Sequence, residues 1–179
     1  MQSIATLGGG CFWCFETIFK EVAGIISAVS GYSGGTKENP TDQDIYYRNT
    51  GHAEVVQLTF DPNVISYKDI LEIFFVMHDP TMLNQQDYDI GEEYRSIIFY
   101  HDAEQHTIAE EMKNKFATTL WDDPVMTHIV PFEKFWPAAD YHQDFYAKNP
   151  YTGYCQIIIN PKLQKFRQKY AARLKTSAA

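Results

Sequence analysis

Ile4-Ala5-Thr6-Leu7-Gly8-Gly9-Gly10-Cys11-Phe12-Trp13-Cys14-Phe15-Glu16 changes its periodicity at the glycines, and that change decides how the chain begins to fold. Ile4–Leu7 is a short strand, and Gly8-Gly9-Gly10 is the turn that ends it. From about Cys11 the apolar positions are Cys11, Cys14/Phe15, Ile18/Phe19 and Val22, with Glu16, Lys20 and Glu21 on the other side. That spacing of three and four predicts a helix. Gly24 is placed to stop it, and Ile25–Tyr32 returns as a strand running into Gly31-Tyr32-Ser33-Gly34-Gly35.

Further along, His52–Phe60 alternates in period two, with His52, Glu54, Val56, Leu58 and Phe60 on one face and Asp61-Pro62 closing the strand. Ser66 caps a helix running to His78, Asp69 completes a capping box, and Pro80 stands beyond its end. Ser96–Tyr100 is another strand. Asp102 opens a long helix whose Ile108, Met112, Phe116 and Leu120 recur at spacing four. Val125–Val130 reads as a strand, Tyr141–Lys148 as a short helix ended by Asn149-Pro150, and Leu163, Phe166, Tyr170 and Leu174 as a last helical stripe. The segments from Pro131 to Pro137 and from Tyr151 to Gln156 read as irregular. Helices and strands alternate without the even rhythm of a doubly wound sheet. The expectation is α+β, a mixed β-sheet with helices packed against it, in one domain over residues 1–179.

Apolar residues make up 45% and aromatics 15%, which fits an ordered protein with an apolar pocket or groove. A net charge of −8 with no basic cluster argues against nucleic acid as a partner. No apolar run approaches the roughly 18 residues of a membrane span. The N-terminus lacks the plan of a signal peptide, so a reducing cytoplasm is expected. Three cysteines make a poor disulfide framework there and point to redox or nucleophilic chemistry.

The glycine–cysteine turn puts the Cys11 thiol at the first turn of a helix, where free amides and the helix dipole favour the reactive thiolate. The glycines would let another molecule approach the backbone. A small buried cysteine is the bland alternative, and the triple glycine with a second cysteine at i+3 weighs against it. Two other chemistries compete. Cys-x-x-Cys opening a helix resembles thioredoxin-like oxidoreductases, although Phe12-Trp13 is bulky between the two. Cys11-x-x-Cys14 with His52-Ala53-Glu54 contains the pieces of a zinc deaminase, but in reversed order and with His52 and Glu54 on a strand.

The remaining motifs fit one reaction better. Gly10-Cys11-Phe12-Trp13 resembles the active-site motif of class A peptide methionine sulfoxide reductases. So do Gly31-Tyr32-Ser33-Gly34-Gly35, Gly51-His52-Ala53-Glu54, His78-Asp79-Pro80-Thr81, Asp89-Ile90-Gly91 with Tyr94-Arg95-Ser96, Tyr141-His142-Gln143, and Asn149-Pro150 through Gly153-Tyr154-Cys155. Each is weak alone; together, in the family's order, they span Leu7 to about Gln156. The resemblance implies a ferredoxin-like two-layer sandwich. It also implies thiol-dependent repair of methionine S-sulfoxide, free or in oxidised proteins and peptides, without a cofactor or metal.

Each residue then has an implied role. Cys11 is the nucleophile. Glu54 is the acid that protonates the departing oxygen, its carboxyl kept protonated by the apolar face of its strand; an exposed or ion-paired glutamate is the alternative. Tyr32 and Tyr94 hold the polarised oxygen, or merely pack with wet hydroxyls. Asp89 helps arrange the site or caps the Gly91 turn. Phe12 and Trp13 form the wall for the substrate methyl group, and His142 lines the pocket or simply packs. The resemblance makes Cys155, in a flexible Thr152-Gly153-Tyr154 segment, the thiol that resolves the Cys11 sulfenic acid. Thioredoxin or a small dithiol then reduces the disulfide. The chain departs from the family pattern at Cys14, where glycine is usual, at Asp87-Tyr88-Asp89, and at Glu92-Glu93. Cys14 adds a second resolving thiol, expected to attack the Cys11–Cys155 disulfide at Cys155.

Overall fold

A computed structural model of the chain describes residues 1–176. The opening unit is β1 (Ser3–Gly8), α1 (Phe12–Lys20) and β2 (Ile25–Ser33). A short helix, α2 (Asp42–Tyr47), precedes β3 (Ala53–Phe60), which lies between β1 and β2 and is antiparallel to both. Strands β1 and β2 therefore run parallel, with α1 as the crossover between them. Helix α3 (Tyr67–Met77) and a small hairpin, β4 (Gln85–Gln86) with β5 (Asp89–Ile90), lead to β6 (Ile97–Tyr100). Strand β6 pairs antiparallel with the other edge of β1.

Helix α4 (Ala103–Glu111) widens into a π-helical stretch, Met112–Ala117, and ends as α5 (Thr118–Leu120). Strand β7 (His128–Pro131) adds parallel to β6, and β8 (Phe135–Pro137) adds antiparallel to β2. The sheet order is β7-β6-β1-β3-β2-β8. The chain closes with α6 (Phe145–Lys148), a π-helical turn Cys155–Ile159, and α7 (Asn160–Lys169). Among the described residues no helix is long and apolar enough to cross a membrane.

One sheet face presents Ala5, Leu7, Val56, Leu58 and Ile98 to Phe15, Ile18 and Phe19 of α1, Ile70 and Phe74 of α3, and Leu163 and Phe166 of α7. The other face, with Ala53, Val55, Ile97 and Phe99, is covered by Val130, Phe132 and Phe135. Strand β3 is thus buried on both sides, and its period-two pattern marks two apolar clusters rather than a wet face. Truncating a side chain as central as Phe74, which is fully buried, would cost about 3–5 kcal/mol.

Both ends of α3 follow the sequence. Ser66 Oγ accepts from the Asp69 amide while the Asp69 carboxylate accepts from the Ser66 amide. Other boundaries differ for reasons outside the local pattern. Helix α1 ends at Lys20, because Val22 is drawn into a bridge with Leu174; Gly24, with φ +89°, makes the turn into β2 instead. The expected strand over residues 125–130 starts only at His128. The expected helix over residues 141–148 is broken at Asp144, whose φ of +55° lets its amide donate to Glu16 at 2.8 Å. The segment from residue 131 to 137 contains β8, and Leu120, expected to continue a buried stripe, is exposed. Cys155 is not on a flexible loop: the chain turns at residues 151–152 and is helical from 153.

Candidate active site

The C-terminal end of β1 delivers the chain into the glycine turn, and the turn's neighbours dictate its composition. A Cβ on Gly8 would lie 2.7 Å from the Glu54 carbonyl oxygen, and one on Gly10, whose φ is +96°, would lie 2.7 Å from Gln86. The space expected for an approaching molecule is filled by the protein's own groups. What the close approach achieves is to place Cys11, at the N-cap of α1, beside Glu54 of β3.

Glu54 is 1% exposed. Its Oε2 accepts the Phe12 amide at 3.1 Å, and its Oε1 accepts the Tyr46 hydroxyl at 3.2 Å. Burial outweighs both hydrogen bonds and pushes its pKa up to about 8, so the carboxyl is protonated at neutral pH. The same surroundings act on the nucleophile. Burial, then the Glu54 charge, then Cys14 hold the Cys11 thiol well above its ordinary range. This corrects the expectation of a resting thiolate made by the helix terminus: the Phe12 amide is taken by Glu54, and burial outweighs the help of the Trp13 amide.

Tyr154 packs in the clusters of both Cys11 and Cys14, and its hydroxyl donates to Asp89 Oδ2 at 2.6 Å. Asp89 thereby acts by holding Tyr154. Cys11 packs in one apolar cluster with Phe12, Tyr32, Ile45 and Ala138, bordered by Trp13, Tyr94, Trp136 and Tyr154. Tyr94, on the one-turn 3-10 helix Glu92–Tyr94, is therefore at the site. Tyr32 is close as a ring, 5.6 Å from Phe12, but its hydroxyl donates to Asp42 Oδ1 at 3.0 Å. The phenol that reaches Glu54 is that of Tyr46.

Phe12 and Trp13 form a wall with fixed geometry. Trp13 stacks on Phe145 at 3.6 Å and 5°, and its Nε1–H donates to His142 Nδ1 at 3.2 Å. Because indole nitrogen only donates, Nδ1 is the acceptor and the imidazole proton sits on Nε2, which is 2.9 Å from Asp42 Oδ2. Behind the apolar wall Trp13 is thus bonded to His142 and Tyr32 to Asp42, while the buried His142 Nε2, close to Asp42, makes no hydrogen bond.

Cys14 and Cys155 belong together in a second cluster, with Ile159 between α1 and the C-terminal helix. All three cysteines are free thiols, and Cys155 is wholly buried. Burial pushes the Cys14 thiol up to about 11, against the opposing charge of Lys162. Lys162 in turn pairs with Asp87 at 2.5 Å, so one of the residues that departs from the family pattern positions a cation near the thiols.

Several quoted motif residues serve the fold instead. His52 Nδ1 accepts from the Gly35 amide at 3.0 Å, and Nε2 lies 2.7 Å from the Lys37 carbonyl, so neither nitrogen turns toward Cys11. Burial lowers the His78 pKa to about 4, and its neutral ring bridges Phe74 and Ser96. Gln143 clamps the Ser30 backbone from both sides. Tyr46, Asp42, Tyr154 and Lys162 had no assigned role in the sequence. Tyr46 and Asp42 lie on α2, whose capping box of Thr41 and Asp44 was the available signal; Tyr154 adjoins Cys155 in a quoted motif.

The family model described as peptide methionine sulfoxide reductase matches residues 3–174. A relative named peptide methionine sulfoxide reductase MsrA, from Saccharolobus solfataricus, is 53% identical over 97% of this chain and 98% of its own. The crystal structure of Mxr1 from Saccharomyces cerevisiae in reduced form superposes with a TM-score of 0.73 at 32% identity, covering 86% of this chain and 89% of that one. Mxr1 in complex with Trx2 superposes with a TM-score of 0.53 at 26% identity, covering 79% and 84% of the two chains.

Proposed function

The chain belongs to the peptide methionine sulfoxide reductase family and reduces methionine sulfoxide to methionine, and from that premise we propose how its own residues carry the reaction. The observation that carries the proposal is the shared position of Cys11 and a protonated Glu54 at the N-terminus of α1. The sulfoxide oxygen lies toward Glu54, Tyr46 and Tyr94, and the methyl group lies against Phe12 and Trp13. Cys11 sulfur takes the oxygen: the substrate sulfur gains two electrons and Cys11 loses two, while Glu54 gives its proton to the oxygen and is reprotonated by the proton leaving the Cys11 thiol. The products are methionine and a Cys11 sulfenic acid. Chirality at sulfur decides whether methyl or oxygen meets the wall, so one epimer is the substrate, and the class A resemblance makes it the S epimer.

The thiol chemistry then runs in the order that packing supports. Cys14, one helical turn from Cys11 and in contact with the Cys155 cluster, attacks the sulfenic acid; a Cys11–Cys14 disulfide and water form. Cys155 attacks that disulfide at Cys14, which frees Cys11 as a thiol and moves the bond to Cys14–Cys155. This reverses the order expected from the sequence, because Cys155 packs against Cys14 on a helix rather than reaching Cys11 from a loop. An external dithiol of thioredoxin type removes the disulfide, a reading that the Mxr1–Trx2 likeness supports. Electrons travel through thiols alone, so the reaction requires no cofactor or metal.

Residues 1–179 act as one catalytic domain in the cytoplasm. Its β1-α1-β2-β3-α3-β6 core, with strand order β6-β1-β3-β2, supports the ferredoxin-like reading. The test is turnover of dabsylated methionine sulfoxide with dithiothreitol. Methionine is expected from wild type and none from Cys11→Ser; activity in Cys11→Ser would overturn the assignment.

A further inference from the structure

A cavity of about 260 Å³ opens on the sheet face opposite α1 and α3, apart from Cys11. Its apolar walls are Ile97, Phe99 and Val130, and its polar lining includes Arg95. Arg95 is 8% exposed. Of its five N–H groups, two donate to main-chain carbonyls, Nη1 to Glu92 and Nη2 to Gly51, each at 2.9 Å. Among the described residues it makes no ion pair: Glu92 and Glu93 are the carboxylates that act on it, and neither is within pairing distance. A buried guanidinium is ordinarily matched by an anion. Lys134 lines the same cavity, so two cationic side chains share it in a protein whose net charge is −8, and His128 beside them is held neutral by burial and by the Arg95 and Lys113 charges.

The floor is kept open by glycine. A Cβ on Gly34 would come to 2.8 Å from the Phe99 ring and 3.4 Å from Arg95 Nη2, and the φ of +90° there disfavours any other residue.

We propose that this cavity is a second binding site, for a small organic carboxylate: the carboxylate meets Arg95 and Lys134, and a short apolar tail meets Ile97, Phe99 and Val130. Inorganic phosphate fits less well. It has nothing to place on the apolar wall, and its second charge would face Glu133, which also lines the cavity. Occupancy has a consequence for the catalytic centre. Arg95 fastens Gly51, three residues ahead of Glu54, and Glu92, in the turn that carries Tyr94, so the ligand stiffens the backbone on both flanks of that centre.

The test is a heteronuclear NMR titration of the full chain with isobutyrate, reading the Gly34 and Gly35 amides and the Arg95 Nε–H signal. Saturable shifts confined to these groups are expected. Lys134→Ala and His128→Ala lie outside the catalytic machinery and should leave sulfoxide reduction unchanged; Lys134→Ala should weaken binding about threefold and His128→Ala, which removes a neutral ring, less. Arg95→Lys should abolish saturation. The proposal is overturned by shifts that never saturate, by equal binding in the Lys134→Ala/His128→Ala double variant, or by inorganic phosphate binding more tightly than isobutyrate. None of these outcomes depends on sulfoxide chemistry.

Discussion

Replacing Glu54 by glutamine removes the acid while keeping its shape, and the structure fixes what should follow. A carboxyl raised to about 8 is roughly nine-tenths protonated at pH 7, so most wild-type molecules carry the proton that the departing oxygen needs. Glutamine can hold the Phe12 amide but cannot give up a proton. The single-turnover reductase step should slow by about 10²-fold or more. Stability should move the other way. The folded carboxyl titrates near 8 and the unfolded one near 4.5, so the folded chain holds the extra proton between those values. Its stability is therefore greatest below about pH 4.5 and declines as pH rises toward 8. At pH 7 the decline amounts to about 3 kcal/mol, which a neutral glutamine does not suffer. Urea unfolding should find Glu54→Gln more stable than wild type by about that amount at pH 7 and nearly equal at pH 4.5. Cys11 should also alkylate at lower pH, because the Glu54 charge that helps hold its thiol protonated is gone. Unchanged rate and unchanged stability at pH 7 would mean that Glu54 is an ordinary paired carboxylate, and the reasoning fails.

Only the S epimer of methionine sulfoxide should turn over; comparable rates for both epimers in a chiral product assay would mean the Phe12–Trp13 wall does not orient the methyl group. Tyr46→Phe should slow the reductase step by about tenfold or more while Tyr32→Phe has a smaller effect, because only Tyr46 reaches Glu54; the opposite ranking in single-turnover kinetics would restore Tyr32 to the oxygen site. Lys162→Met should slow disulfide formation, because the cation that opposes the burial of the Cys14 thiol is gone, and spare methionine formation. Equal loss in both steps, followed by quenched-flow thiol counting, would assign Lys162 to the fold.

The residues legible in the sequence are those whose neighbours are local or whose strand face is continuous. Ser66 and Asp69 sit three apart and make the same box in the structure, and Glu54 shares its face with Val56 and Leu58, which is why its burial could be read. Thr41 and Asp44 carry the same box over a helix too short to show a stripe, so α2 went unseen, and Tyr46 and Asp42 with it. The break at Asp144 answers a carboxylate 128 residues away, Glu16, which also binds Ser30 and Lys20. No local pattern encodes that. The Cys155 segment misled because Gly153 and Thr152 look like a loop, whereas burial against Cys14 and Ile159 winds it into a helix.

The central claim is that oxygen is taken by Cys11 and oxidation is passed through Cys14 to Cys155. Without external reductant, wild type should release about two methionines per chain, because the second disulfide frees Cys11 to react again. The most direct measurement is mass spectrometry of Cys14→Ser after one turnover in the presence of dimedone. The account expects about one methionine per chain, a dimedone adduct on Cys11, and Cys155 still a free thiol. A Cys11–Cys155 disulfide with no adduct would contradict it.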